Sequence, residues 1–202
     1  MSKEVPEKKS QFERVSNFIQ LSLWTAVFTL SFASLVCLSC SCWSIYAGPI
    51  TDFTTLICRF AQVLQVTDFM ARGNIVGKML HIFGRNLIAW AVLPYIPNLL
   101  LANALMLVWS LGDVIRYTYY LRSDDFAATL RYNVFLINYP LGLSLEFLSL
   151  YTGHISGTLN KNLINTPIIA VLVPFMIIGF QICFRQLYHQ RKQYYARKLK
   201  SE

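Results

Sequence analysis

Six apolar runs, each near the length needed to cross a bilayer, leave this chain few folds to choose from. They lie at about Phe18–Ile45, Asp52–Met70, Met79–Ile96, Leu99–Tyr119, Leu130–Tyr151 and Pro167–Cys183. A helix that spans the hydrocarbon core needs ~20 predominantly apolar residues. Hydrophobic residues make up 55% of the chain and charged residues only 14%, whereas a soluble domain carries roughly a quarter charged residues. In lipid every backbone polar group must be satisfied within the segment, so apolar runs of this length are helices. The expected fold is an all-α integral membrane protein, a six-transmembrane helical bundle.

The basic residues orient the bundle. Net charge is +8, concentrated in the two tails and in the connections near 72–78 and 120–131. The connections at 46–51, 94–98 and 152–166 hold only Lys161. Cytoplasmic loops carry the excess of Lys and Arg, so both termini are expected in the cytosol. The domain reading follows: residues 1–15 as a flexible cytosolic tail, 16–184 as the six-span membrane domain, and 185–202 as a basic cytosolic tail. Gly48 with Pro49 is expected to break the chain between the first two spans, and Pro94 with Pro97 to end the third. The first run is too long for a cleavable signal and reads as a retained span. Lys198 and Lys200 near the C-terminus resemble a dilysine retrieval signal, an address read by a receptor. No basic stripe interleaved with aromatics lies on a polar face, which argues against nucleic acid.

Five cysteines, Cys37, Cys40, Cys42, Cys58 and Cys183, all fall in apolar runs. One CxxC without a second pair or a nearby histidine does not supply a tetrahedral metal site. They read as small packing residues, and neither metal nor cofactor is expected. His81 and His154 read as structural.

Ionisable residues inside apolar runs need a reason to be there. In the second run Arg59, Gln62 and Gln65 recur every three residues, so that face looks inward. In the fourth, Asp113 and Arg116 stand three apart, with Tyr117 beside them. In the fifth, Tyr139 and Glu146 stand seven apart, two helical turns or about 10.5 Å along the axis, and Tyr132 continues the stripe. Helical side chains lean toward the N-terminus, so Glu146 points back toward Tyr139. Pro140 removes a backbone donor and is expected to kink the helix. Gly142 admits a close neighbour. Two readings of Glu146 stand open on these grounds: a chemical group in an intramembrane pocket, or a structural partner of Arg59 or Arg85. Arg116 and Tyr117, with Arg122, Arg131 and Tyr132, read as a basic, hydrogen-bonding mouth suited to phosphate.

These residues resemble the very-long-chain 3-hydroxyacyl-CoA dehydratase family, once named protein tyrosine phosphatase-like. The pattern is Trp109, then Asp113, Ile115-Arg116-Tyr117 and Tyr119-Tyr120, then Leu130-Arg131-Tyr132 with Phe135, then Tyr139-Pro140, Gly142 and Glu146. At the place of the family's LExxH stands LQVTD, with Gln65 and Asp68. Asp113 stands where Glu is usual, and Arg85 keeps the arginine of the third span. The resemblance implies six spans, residence in the endoplasmic reticulum, and dehydration of (3R)-3-hydroxyacyl-CoA to trans-2-enoyl-CoA in fatty-acid elongation. It maps the catalytic pair onto Tyr139 and Glu146. Arg85, Asp113, Arg116, Tyr117, Arg131, Tyr132 and Gly142 then line the pocket and its CoA mouth. The implied partners are acyl-CoA, the lipid bilayer, and the elongase and reductase enzymes of the cycle. No cysteine is followed six positions later by arginine, so no phosphatase cradle exists.

Eliminating water across C2–C3 of a 3-hydroxyacyl thioester needs a base for the C2 proton and an acid for the departing hydroxide. A carboxylate stripped of water is the stronger base, which gives Glu146 the first role and Tyr139 the second, although the two can be exchanged. Two rivals remain: a catalytically inactive scaffold, and a small transporter using Arg59, Asp68 and His81.

Overall fold

The computed structural model describes residues 11–40, 43–72, 76–122, 124–156 and 166–200, and all its elements are helical. They are α1 (Gln11–Ser39), α2 (Ser44–Arg72), α3 (Val76–Ala91), a 3-10 turn at Leu93–Tyr95, α4 (Leu99–Arg122), α5 (Asp125–Ile155) and α6 (Thr166–Lys198). Among the described residues α1, α4 and α5 are long and apolar enough to cross a membrane.

Exposure is inverted relative to a soluble protein. Phe18, Phe32, Phe53, Phe60 and Ile137 face outward, while Gln20, Gln62, Gln65, Asn103 and Asp113 are buried. Lipid rewards that arrangement, because apolar surface needs no shelter there and polar groups do. Outward apolar side chains and inward polar ones, with three helices long enough to span, give the chain the character of a helical membrane protein.

Five helices close into a ring in the order α2, α3, α6, α5, α4, with α4 meeting α2 again. Helix α1 packs outside the ring, against α2 and α4. Its buried residues Asn17, Gln20, Trp24, Val27, Ser31 and Ser34 recur every three or four positions, one stripe of an α-helix. Ser31 and Ser34 give the smooth face that close contact requires. Cys37 is half-buried and Cys40 exposed, so the cysteines of this run extend that face little.

Hydrogen bonds fasten one end of the assembly. Ser34 Oγ lies 3.0 Å from Thr51 Oγ1, and Asn103 Nδ2 donates to the same Thr51 oxygen at 2.7 Å. Helices α1, α2 and α4 are thereby joined at one point. At the opposite end Arg122 closes α4, and Asp124 caps α5 by accepting from the Ala127 N–H at 2.8 Å. Asn98 caps α4 in the same way, accepting from the Leu100 N–H at 2.9 Å.

Several boundaries differ from the sequence reading. The break between α1 and α2 falls between Ser39 and Ser44, and Pro49 lies inside α2. Only the first four N–H groups of a helix lack an internal partner. Pro49 therefore forfeits a single bond near the start, and the helix continues. The polar leader is already helical from Gln11, and α5 begins at Asp125 rather than near Leu130. The acidic pair Asp124–Asp125 acts as a helix start and not as loop. Pro94 and Pro97 do end the third run, which leaves the helix at Ala91 and passes through the 3-10 turn.

The basic tail is also helical. Helix α6 runs on to Lys198, and its last turns are pinned to α5. Thr129 Oγ1 lies 3.2 Å from the Tyr194 hydroxyl, Asn133 Nδ2 donates to the Tyr195 hydroxyl at 2.9 Å, and Arg191 Nη2 donates to Asn133 Oδ1 at 3.2 Å.

Ser34→Leu is expected to force α1 away from α2 and to lower stability by about 1–3 kcal/mol, the usual cost of overpacking. Thr29→Leu, on the exposed face of the same helix, should leave thermal unfolding in detergent unchanged. Equal melting temperatures for the two variants contradict the assigned inner face.

Candidate active site

The ring encloses an elongated cavity of about 250 Å³. Every ring helix contributes to its wall: Gln65 from α2, Arg85 from α3, Trp109 and Asp113 from α4, Tyr139 and Glu146 from α5, and Cys183 from α6. Helical periodicity explains the selection. On α4 the wall residues Trp109, Asp113, Arg116 and Tyr120 advance by three or four positions, one face of the helix. On α5 the cavity follows the wall from Glu146 to Arg131, fifteen positions apart, or about 22 Å.

At the centre of the charged cluster is Asp113, 2% exposed. Arg85 Nη1 lies 2.6 Å from its Oδ2 and Arg116 Nη2 lies 2.9 Å from its Oδ1. Each carboxylate oxygen thus holds one guanidinium. Arg85 is itself 6% exposed and is gripped on every side. Its guanidinium lies 4.7 Å from the centre of the Trp109 ring and 5.2 Å from that of Trp24. The Gln62 amide, turned with its oxygen toward Arg85, accepts from Nε and Nη2 at 3.2 Å each. A buried cation needs both paired charge and saturated donors, and here it has both. Arg116 also donates to the Tyr117 hydroxyl at 3.1 Å.

Trp109 joins this cluster to the second carboxylate. One face of its ring receives Arg85, and its Nε1 donates to Glu146 Oε1 at 2.8 Å. Among the described residues no Lys or Arg forms an ion pair with Glu146, and no hydrogen bond holds its Oε2. Arg59 is engaged elsewhere, donating to the Ala89 carbonyl at 3.0 Å and lying over Trp90. The structural ion pair considered for Glu146 is therefore absent: Arg85 belongs to Asp113 and Arg59 to α3.

Tyr139 shares the cavity with Glu146. Its ring packs against Phe180 of α6, centroids 5.6 Å apart, and its hydroxyl is within hydrogen-bonding reach of the Cys183 thiol. Gly142, one turn on, lines the same wall, and a Cβ there would come 3.7 Å from Val108. A proton donor and a carboxylate thus face one enclosed space from a single helix. Such a space can hold a flexible apolar chain with a reacting group between the phenol and the carboxylate.

The proposed mouth is less uniform than the sequence suggested. Arg131 lines the cavity and stacks over Tyr119 and Tyr120, 4.7 and 5.0 Å from the ring centres. Tyr132 lies off the wall, against Tyr194 at 5.1 Å and Tyr119 at 6.4 Å. Arg122 is exposed and pairs with Asp124. The side chains of Asp68 and His81 fall outside the described residues. His154 is exposed. No group of three metal-ligating side chains occurs among the described residues.

Two contributors, Asn138 and Cys183, had no clear signal in the sequence. Asn138 donates to the Val108 carbonyl at 3.1 Å by crossing Gly112, where a Cβ would sit 2.7 Å from its Nδ2. Cys183 looks like an ordinary membrane-helix residue until its neighbours are known, and Gln62 was legible as part of the inward face of α2 but not as the partner of Arg85. Trp109 was signalled only by its spacing, four positions before Asp113.

Comparison with known proteins places these residues in context. The family model described as "Protein tyrosine phosphatase-like protein, PTPLA" matches residues 57–197. A "Probable very-long-chain (3R)-3-hydroxyacyl-CoA dehydratase" of Schizosaccharomyces pombe is 27% identical over 206 residues, covering 92% of this chain and 93% of that protein. A "Very-long-chain (3R)-3-hydroxyacyl-CoA dehydratase" of Gallus gallus is 27% identical over 157 residues, 68% of this chain and 43% of its own. The rice protein "Very-long-chain (3R)-3-hydroxyacyl-CoA dehydratase PASTICCINO 2B" is 26% identical over 96 residues, 43% of each chain. No solved structure matches.

Asp113→Asn leaves two guanidiniums facing each other in a buried site and should cost about 3–5 kcal/mol. Asp124→Asn, which weakens an exposed pair with Arg122, should change stability by less than about 1 kcal/mol. Thermal denaturation of both variants in detergent measures the difference, and similar values would remove Asp113 from its central place.

Proposed function

The chain belongs to the protein tyrosine phosphatase-like family, PTPLA, and from that membership we propose that it dehydrates very-long-chain (3R)-3-hydroxyacyl-CoA to the trans-2-enoyl-CoA in fatty-acid elongation, as the names of its relatives state of them. The observation that carries this reading is the shared cavity. Tyr139 and Glu146 both open into it, and the only hydrogen bond to Glu146 among the described residues comes from Trp109.

In this reading Glu146 Oε2 removes a proton from C2 of the acyl chain. The electron pair forms the C2–C3 double bond as the C3–O bond breaks. The Tyr139 hydroxyl gives its proton to the departing hydroxide, which leaves as water. The proton held by Glu146 then returns to Tyr139 through that water, and the site is restored. The Trp109 N–H fixes the carboxylate rotamer and leaves the second oxygen to work, a form of preorganisation. Arg85, Asp113 and Gly142 shape the wall around the pair. The acyl tail extends beyond Glu146 into the bundle, while Arg116, Tyr117 and Arg131 meet the CoA phosphates at the other end, with Tyr132 supporting Arg131. Arg131 has an aromatic bed and no carboxylate partner among the described residues, which suits it to phosphate.

The reading extends to topology. Six spans with both termini in the cytosol open the Arg131 end to that compartment, where acyl-CoA is present. Residence in the endoplasmic reticulum, beside the elongase and reductase enzymes that make the substrate and use the product, belongs to the same reading. Concentration of the buried ionisable groups around one enclosed cavity favours an enzyme over a scaffold.

Glu146→Gln and Tyr139→Phe should each lower dehydration of 3-hydroxyacyl-CoA in membranes by about 10²–10⁴-fold, with expression and thermal stability near wild type. Activity within a few-fold of wild type in either variant removes that residue from the reaction.

A further inference from the structure

Among the described residues the cavity has a closed floor. Its deepest wall residues are Arg85 on α3, Val108 on α4, Glu146 on α5 and Phe175 on α6. One turn further, Ile88, Leu105, Met106 and Leu150 belong to a single core cluster, none more than 3% exposed. The length of wall between Tyr139 and Glu146, about 10.5 Å, is taken up by the reacting carbons. A very-long acyl tail outruns one leaflet of lipid, half of the ~30 Å hydrocarbon core. Past Glu146 such a tail meets the packed floor at once and has to turn.

The wall between α3 and α6 offers the turn. Ile82 and Gly84 line it from α3, and Phe175 and Met176 from α6. Gly84 adjoins Arg85, and Arg85 and Glu146 both meet Trp109, so this wall stands level with the deep end of the catalytic pair. A Cβ built on Gly84 would have no described atom within 4 Å, which leaves open space beside the backbone. Phe175 links the inside to the outside: it lines the cavity, and its ring meets that of Phe83 edge-on, centroids 5.9 Å apart. Phe83 is 61% exposed on the outer surface of the ring of helices. We propose that the acyl tail leaves the cavity sideways between α3 and α6, past Gly84 and the Phe83–Phe175 pair, into the surrounding lipid. Glycine keeps the opening because any side chain there would stand in the path of the tail. Only the reacting carbons and the first methylenes then need protein around them, and the remainder stays in hydrocarbon, where apolar surface needs no shelter. A very-long chain is thus accepted without a tunnel of matching length. The proposal rests on the dehydratase reading and adds to it the route of the substrate's tail.

The test compares wild type with Gly84→Leu, which fills the opening, and with Gly48→Leu, a matched change on α2 away from the cavity. A Cβ at Gly48 likewise meets nothing within 4 Å, and leucine is the better helix former at both places. Each protein is assayed in liposomes with 3-hydroxybutyryl-CoA, whose chain ends one methyl beyond the reacting carbons, and with a very-long-chain 3-hydroxyacyl-CoA. Gly84→Leu should lower the long-to-short ratio of kcat/KM by about 10-fold or more, and Gly48→Leu should keep the wild-type ratio. That ratio is internal to each preparation, so it does not depend on how much of a variant folds. An unchanged ratio in Gly84→Leu, or an equal fall in both variants, overturns the route and leaves the dehydratase reading intact. Independently, a very-long-chain 3-hydroxyacyl-CoA with a diazirine at mid-chain is irradiated with wild type in liposomes. Adducts are expected on Phe83 or Phe175 and on lipid, whereas adducts confined to Leu105, Met106 or Leu150 place the tail in the core and overturn the route. Failure of the wild type to dehydrate any 3-hydroxyacyl-CoA, in preparations where it melts cooperatively, overturns the dehydratase reading and this route together.

Discussion

The Asp113 carboxylate, with one arginine on each oxygen, is the interaction on which the rest of the site depends. Without it two guanidiniums would stand close together in a low-dielectric interior, where like charges repel strongly. With it, Arg85 becomes a fixed post against which Trp24 of α1 and Trp109 of α4 lie flat. Four helices are thereby tied to one ion cluster, since Gln62 brings in α2 as well. An ion pair of this kind adds little net stability, because desolvation offsets most of the attraction. Its contribution is placement: Trp109 cannot tilt without disturbing Arg85, so its N–H stays directed at Glu146.

The two carboxylates of the cavity consequently have different situations. Asp113 has both oxygens bound to cations, which removes it as a base. Glu146 has one oxygen bound to a neutral N–H. The short Asp113 side chain reaches both arginines. The two carboxylates line the same cavity and differ in their partners.

Much of this was legible in the chain itself. Tyr139 and Glu146 were assigned to one face by their spacing of seven, and both line the cavity. The inward face of α2 followed from Arg59, Gln62 and Gln65, and two of the three are completely buried. Those inferences succeed because helical periodicity is a local property. Pairing is not. Whether Arg85 meets Asp113 or Glu146 depends on how α3 and α5 rotate against α4, and nothing within one helix records that. The Asn138–Gly112 contact needs two helices to be known at once. Helix ends were misplaced for a related reason: Pro49 and the Asp124–Asp125 pair have fixed stereochemical preferences, but their effect depends on their distance from a helix start.

The pinning of the last turns of α6 onto α5 has a consequence for how the C-terminus is displayed. Thirty-three residues of helix extend about 50 Å, well beyond the ~30 Å of a hydrocarbon core. Its far end is a stiff rod braced against α5 by Tyr194, Tyr195 and Arg191. The basic side chains of this stretch, Arg191 to Lys198, are thereby held at fixed spacing along a rigid rod, in place of hanging from a loose thread.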